Sequence, residues 1–221
     1  LGPGQIYSTT NAGFVVDGSG NIYYSDRDSN RIQKFDSSGN FLLEIGPSTS
    51  SDASDCPASY EVRISTRVDM LTKSYICGPG GIAVDSSGNL YAMAAHENPA
   101  RLYKFSSSGD LQWKKSGADL PGLSQGSNDP TPGHQISMDN AGIDIDTSGN
   151  IYISDHYNKR VIKLDSSGNF LTEFGGLTQG SAGGIAVDNN DGSFYVTDSI
   201  QYTVKKFDSS GNFIAQQNAY A

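Results

Sequence analysis

The sequence predicts an all-β fold made of repeated four-stranded antiparallel units, and three observations carry that prediction. One string recurs four times in the 221 residues, starting at Gly13, Gly81, Gly142 and Gly184. Each copy alternates apolar and polar residues over short runs, which is the period of a strand. The composition favours turns over helices: 20 of the 24 acidic residues are aspartates, the glutamates being only Glu44, Glu61, Glu97 and Glu173, and there are 26 glycines. Asp and Gly form turns, whereas Glu, Lys and Ala favour helix.

The first unit, residues 13–46, reads GFVVDGSGNIYYSDRDSNRIQKFDSSGNFLLEIG. Its apolar runs predict strands at Phe14–Val16, Ile22–Ser25, Arg31–Phe35 and Phe41–Ile45. The first pair and the last pair are each joined by Asp-x-x-Gly. An Asp side chain can accept from the backbone two residues on, and Gly takes the left-handed conformation a short hairpin loop needs. An insertion, residues 47–80, follows; within it YEVRISTRVDML (60–71) alternates like an added strand or hairpin. The second unit, 81–117, departs most from the pattern. Ala94 stands where the other units have Asp26, Asp155 and Asp198, and Ser106 stands at one turn position. A second insertion covers residues 118–141. The third unit, 142–176, and the fourth, 184–217, repeat the first closely, with hairpin positions Asp146, Asp165, Asp188 and Asp208.

Four antiparallel strands in a unit of about 40–45 residues make the blade of a β-propeller. The motif Gly-hydrophobic-x-hydrophobic-Asp, then Gly-Asn-hydrophobic-Tyr, Asp, Arg and Lys-Phe-Asp, resembles the NHL repeat family over all four units. Such propellers usually close with six blades, so closure by these four units or completion by further sequence or another chain are alternatives. The expectation is a single propeller domain over residues 1–221.

Charge bounds the partners. Lys plus Arg number 15 against 24 acidic residues, a net charge of -9. Nucleic-acid binding driven by counter-ion release needs a basic surface, which also argues against the RNA-binding role the resemblance to tripartite-motif NHL proteins would imply. No apolar run approaches the roughly 20 residues that span a bilayer, so no membrane insertion is expected. The chain opens Leu1-Gly2-Pro3-Gly4 without methionine, which reads as a processed product or a fragment.

Propeller topology sorts the loops. The Asp-Gly hairpins share one rim; the second-to-third-strand loops and both insertions share the other. That loop face carries all three histidines, His96, His134 and His156, with Arg27, Asp28 and Tyr157, and these six are the candidate binding residues. Cys56 and Cys77 both lie in the first insertion, and a disulfide between them would stabilise it by about 3 kcal/mol. Paired cysteines in one irregular loop point to an oxidising, extracellular or cell-surface setting.

The residues argue against an assembled catalytic group. The resemblance to the peptide-amidating lyase, an NHL-like propeller, implies a zinc held by three histidines, but the matching positions here are Ala12, Gly80, Ala141 and Gly183. Gluconolactonase-like propellers hold a divalent cation with inward oxygen ligands, for which Asp139 and Asp144 are the candidates. The simpler reading of Asp144 is a hydrogen-bonded link between blades. Asp26, Asp155 and Asp198 read as braces of the second-to-third loop, and Lys34, Lys104, Lys163 and Lys206 as a solvated polar stripe. No P-loop or dinucleotide fingerprint occurs. The expectation is therefore a module with no catalytic residues and no cofactor, whose partner is a protein, a glycan or a copy of itself. The alternative is a lyase or lactonase using Ca or Zn at the propeller channel.

Overall fold

The computed structural model describes residues 4, 13–27, 30–46, 64–65, 76, 78–94, 101–116, 119, 141–155, 158–175 and 182–218. The architecture is all-β: four antiparallel sheets in sequential order, the blades of a β-propeller, with no α-helix among the described residues. The first blade is β1 (Phe14–Val16), β2 (Ile22–Asp26), β3 (Arg31–Phe35) and β4 (Phe41–Ile45). A fifth strand, β5 (Ile64–Ser65), pairs antiparallel with β4, inside the stretch that the alternation of residues 60–71 marked as an added strand. The second blade is β6 (Pro79–Val84), β7 (Leu90–Ala94), β8 (Arg101–Phe105) and β9 (Leu111–Ser116). The third is β10 (Ile143–Ile145), β11 (Ile151–Asp155), β12 (Arg160–Leu164) and β13 (Phe170–Gly175). The fourth is β14 (Ala182–Val187), β15 (Phe194–Asp198), β16 (Thr203–Phe207) and β17 (Phe213–Asn218). The strands divide into two compact units, Leu1–Lys114 and Lys115–Ala221.

The hairpins form as their sequences dictate. Asp17 Oδ1 accepts the backbone N–H of Ser19 and of Asn21, while its Oδ2 accepts from the Asn21 side chain, all at 2.9 Å. Gly20 closes the turn at a φ of +80°, where a side chain would be strained. The same three bonds recur at Asp36, Asp85, Asp146, Asp165 and Asp208. Two turns differ: Ser106 Oγ accepts the Asp110 N–H, with the carboxylate at the far end of the turn, and Asp188 Oδ1 accepts both the backbone N–H and the side-chain amide of Asn190, while Asp191 Oδ1 accepts the Ser193 N–H. In the first, third and fourth blades the outer hairpin carries a bulge beside Lys34, Lys163 and Lys206. The extra residue of each bulge, Leu42, Leu171 or Ile214, is turned out of the ladder and exposed.

Each unit has its own core between two facing blades. In the first, Tyr23, Ile32 and Ile45 of the leading blade meet Ile82, Leu90, Ala92, Tyr103 and Phe105 of the next. In the second, Tyr152 and Val161 meet Phe194, Val196 and Phe207. Phe194 stacks on Phe207 with ring centroids 5.4 Å apart. Burying each such side chain contributes about 1.5–3 kcal/mol.

The innermost strands of neighbouring blades approach so closely that only glycine fits. A Cβ on Gly13 would lie 2.6 Å from the Gly80 carbonyl oxygen, and one on Gly142 would lie 2.7 Å from the Ile185 nitrogen. A serine one strand further out fastens each junction. Ser25 Oγ accepts the Gly13 N–H and donates to the Gly80 carbonyl at 2.8 Å. Ser154 Oγ accepts the Gly142 N–H at 2.7 Å and donates to the Gly183 carbonyl.

Candidate functional site

The loop face is anchored by buried charges at the second-to-third-strand loops. Arg31 lies fully buried, with Nε 3.2 Å from Asp26 Oδ2 and Nη1 2.9 Å from Glu44 Oε2. Burial pushes the Glu44 carboxyl up, against the pull of the Arg31 charge and hydrogen bond. The third blade repeats the set: Arg160 Nε is 2.8 Å from Asp155 Oδ2, and Nη1 is 2.7 Å from Glu173 Oε2. In the fourth blade Asp198 pairs with Lys205 at 3.1 Å and accepts the N–H groups of Ile200 and Gln201. These carboxylates hold the loops in shape. The second blade has Ala94 and Lys114 at the acidic positions, and its sequence cannot form the same set.

The lysine row is not the solvated stripe that its register suggested. Lys34, Lys104, Lys163 and Lys206 lie over Tyr23, Tyr91, Tyr152 and Tyr195, 4.7–5.2 Å from the ring centroids. The first three also sit 3.7–3.9 Å from Asp17, Asp85 and Asp146, and Lys34 and Lys104 are buried. Their aliphatic stems pack while the ammonium meets a ring face and a carboxylate. Burial first, and then the Asp85 charge, pushes the Tyr91 hydroxyl well above its ordinary range. Burial of Asp17 opposes ionisation, but the Asn21 and Ser19 hydrogen bonds and the Lys34 charge outweigh it and hold its carboxyl below the usual value.

Of the ten residues singled out from sequence for binding, metal ligation or a disulfide, the structure places two. Arg27 is half-buried at the end of β2. Asp144 links blades: its Oδ1 accepts the Ile145 N–H at 2.8 Å and its Oδ2 accepts the Val187 N–H at 2.7 Å. Asp28, His96, His134, His156, Tyr157, Asp139, Cys56 and Cys77 lie outside the described residues. Among the described residues no three His, Cys, Asp or Glu side chains are grouped so as to hold a metal ion.

Sequence reasoning missed two apolar side chains on this face. Ile200 and Tyr202, in the loop between β15 and β16, are 65% and 57% exposed. Tyr202 also stands at a φ of +52°, in the position where Asn30 (φ +52°) and Lys159 (φ +56°) precede the third strands of their blades. Asn suits the left-handed region, and Asn30 uses it to accept the Gly78 N–H at 2.7 Å. A bulky ring there costs roughly 1–3 kcal/mol, and such strain concentrates at ligand-contacting positions. The available signal was the repeat alignment, which sets Tyr202 against Asn30.

No protein-family model matches the chain, and no curated protein matches it in sequence. Solved structures share its fold. A streptogramin B lyase structure superposes with a TM-score of 0.58 at 16% identity, over 94% of this chain and 54% of that one. A chain of a nidogen/laminin complex gives 0.59 at 15% identity, over 90% of this chain and 60% of that one. A virginiamycin B lyase from Staphylococcus aureus gives 0.56 at 12% identity, over 98% and 73%. This chain thus spans less than two thirds of the first two structures, and the likeness at these identities concerns fold alone.

Proposed function

We propose that this chain is a non-catalytic binding or structural module of NHL-type blades, acting outside the cell or at its surface. Its loop face engages a protein, a glycan or a neighbouring subunit. The observation that carries this reading is the exposed Ile200–Tyr202 pair, with an aromatic ring held at positive φ on a rigid blade. A ring and an aliphatic side chain presented together suit the apolar face of a sugar or a protein hot spot. The commitment of the described carboxylates to turns, loop braces and ion pairs supports the absence of catalysis. A net charge of -9 opposes a nucleic-acid partner.

The test offers the immobilised full chain to a glycan array and to extracellular-matrix proteins. A saturable partner should be retained about tenfold less well by Ile200→Ser and by Tyr202→Gly. Tyr202→Gly should not lower the melting temperature, because glycine relieves the left-handed strain. Retention unchanged in both variants overturns the reading. The competing reading, a metal-dependent lyase or lactonase, draws on the fold shared with streptogramin B lyase. It requires stoichiometric Ca or Zn in the purified chain, lost in Asp144→Ala or His134→Ala.

A further inference from the structure

The loop brace is built in three ways, and the first blade's version stands apart. In the fourth blade one carboxylate meets one cation, Asp198 with Lys205 at 3.1 Å. In the third, Arg160 serves two carboxylates, but the Glu173 side chain is 26% exposed, and Asp155 accepts two further bonds from the Asn158 amide at 2.9 and 3.0 Å. In the first, Arg31 serves Asp26 and Glu44, and the three side chains are only 1%, 0% and 2% exposed. The two Arg-centred blades also differ at their outer edge. Strand β5 pairs with β4 and sets Ser65 opposite Glu44, whereas among the described strands the third blade's sheet ends at β13.

Glu44 uses one of its two oxygens. Oε2 accepts from Arg31 Nη1 at 2.9 Å, while Oε1 is buried and makes no hydrogen bond among the described residues. A buried carboxylate oxygen with neither donor nor water is costly, because the negative charge is shared by both oxygens. The guanidinium that offsets this charge is also engaged by Asp26. The groups set against Glu44 are Asp26 from β2, Arg31 and the neutral Gln33 from β3, and Ser65 from β5. Burial is the largest influence and pushes the carboxyl up; Arg31 pulls it down, Asp26 pushes it up, and the amino-terminal charge pulls weakly down. A proton on Oε1 removes the buried charge and leaves Oε2 to accept from Arg31, while Asp26 still balances the guanidinium.

We infer that Glu44 is a proton-binding site of the first blade, and that one proton taken up there in mildly acidic solution fastens the loop carrying Arg27 and Asn30. The brace holds both ends of that loop, since Asp26 closes β2 and Arg31 opens β3. Within it, Asn30 donates its N–H to the Arg27 carbonyl at 3.1 Å and accepts the Gly78 N–H on Oδ1 at 2.7 Å. When the loop opens, water reaches Glu44 and its carboxyl returns toward the ordinary value of 4.5. The closed loop therefore binds the proton more tightly than the open one. Its advantage is complete below the ordinary value and is lost as pH rises through the higher value of the closed state. The hairpin aspartates held below 3.8 give up their contribution at lower pH than this gain. The three histidines of the chain also take up protons above that range, and the test separates them.

The test is hydrogen exchange of the Asn30 and Gly78 amides in the full chain at about pH 7 and about pH 5, corrected for intrinsic rates. Carboxyl-carbon NMR follows Glu44 itself in the same samples. In the parent chain both amides should exchange severalfold more slowly at the lower pH, and Glu44 should titrate above 4.5. Glu44→Gln puts an uncharged group of the same shape in the site. It should protect the amides at neutrality as well as acid does in the parent, and its pH dependence should vanish. Glu173→Gln should keep the parent's dependence. Equal corrected rates at the two pH values in the parent, or a Glu44 midpoint at or below 4.5, would overturn the proposal. A pH dependence that survives Glu44→Gln would also overturn it and assign the effect to the histidines. So would a Glu44→Gln chain that opens or unfolds at neutrality, because the neutral group has to be the better fit.

Discussion

Arg31→Met tests how the loop face is held. The guanidinium is 1% exposed and bridges two carboxylates, Asp26 at 3.2 Å and Glu44 at 2.9 Å, whose side chains are themselves 0% and 2% exposed. Methionine fills most of the volume but leaves both carboxylates buried without their cation, and removing one partner from a buried pair costs about 3–5 kcal/mol. Against a total stability of about 5–15 kcal/mol, that is enough to unfold a marginal domain. Arg160 offers an internal control. It makes the same two contacts, but the Glu173 side chain is 26% exposed and can be rehydrated, so Arg160→Met should cost distinctly less. The assay is urea unfolding followed by circular dichroism. The destabilisation should shrink as pH falls, because burial already pushes Glu44 up and without Arg31 it takes a proton readily. A second change, Arg31→Met with Glu44→Gln, should recover part of the loss. If Arg31→Met lies within about 1 kcal/mol of the parent, as for an exposed pair, the reasoning fails.

Gly13→Ala and Gly142→Ala should each lose about 1–3 kcal/mol, since the added methyl meets backbone atoms of the next blade's inner strand within 3 Å. Melting temperatures equal to the parent's would refute that close approach. Acid should destabilise the fold. Asp17, Asp36, Asp85, Asp165, Asp191 and Asp208 are held below their ordinary value of 3.8, so the stability they contribute is complete above it and is lost as pH falls through the lower folded values. Glu44, raised above 4.5, works in the opposite sense, and a stability curve flat from neutrality to pH 2 would contradict the balance. Intact mass before and after reduction with alkylation should show Cys56 and Cys77 protected. Two thiols that alkylate in the native chain would remove the disulfide and the main argument for an oxidising compartment.

Strands and turns were legible in the sequence because the forces that make them are local. The repeat placed β1, β3 and β4 to the residue, and β2 only runs one residue further, to Asp26. The Asp-x-x-Gly-Asn turns close through bonds between residues two and four apart, so their chemistry is written within five letters. Asp26, Asp155 and Asp198 were readable as loop braces for the same reason. The bridging role of Ser25 was not, because its acceptor, the Gly80 carbonyl, lies 55 residues away.

The lysine row shows where a local reading misleads. A lysine in register on a strand suggests solvent, but the blade packed against it buries the stem of Lys34, and a tyrosine ring and an aspartate supply what water would. The exposed Phe14 and Val204 were equally hidden, since apolar letters in a repeated strand read as core in every copy. Hydrogen bonds between near neighbours and the alternation of a strand are properties of short stretches of chain, so the sequence by itself determined blades, turns and loop braces. Which face of a blade has a neighbour depends on residues far away in the chain. Only the tertiary structure decided which apolar positions are core and which stay exposed.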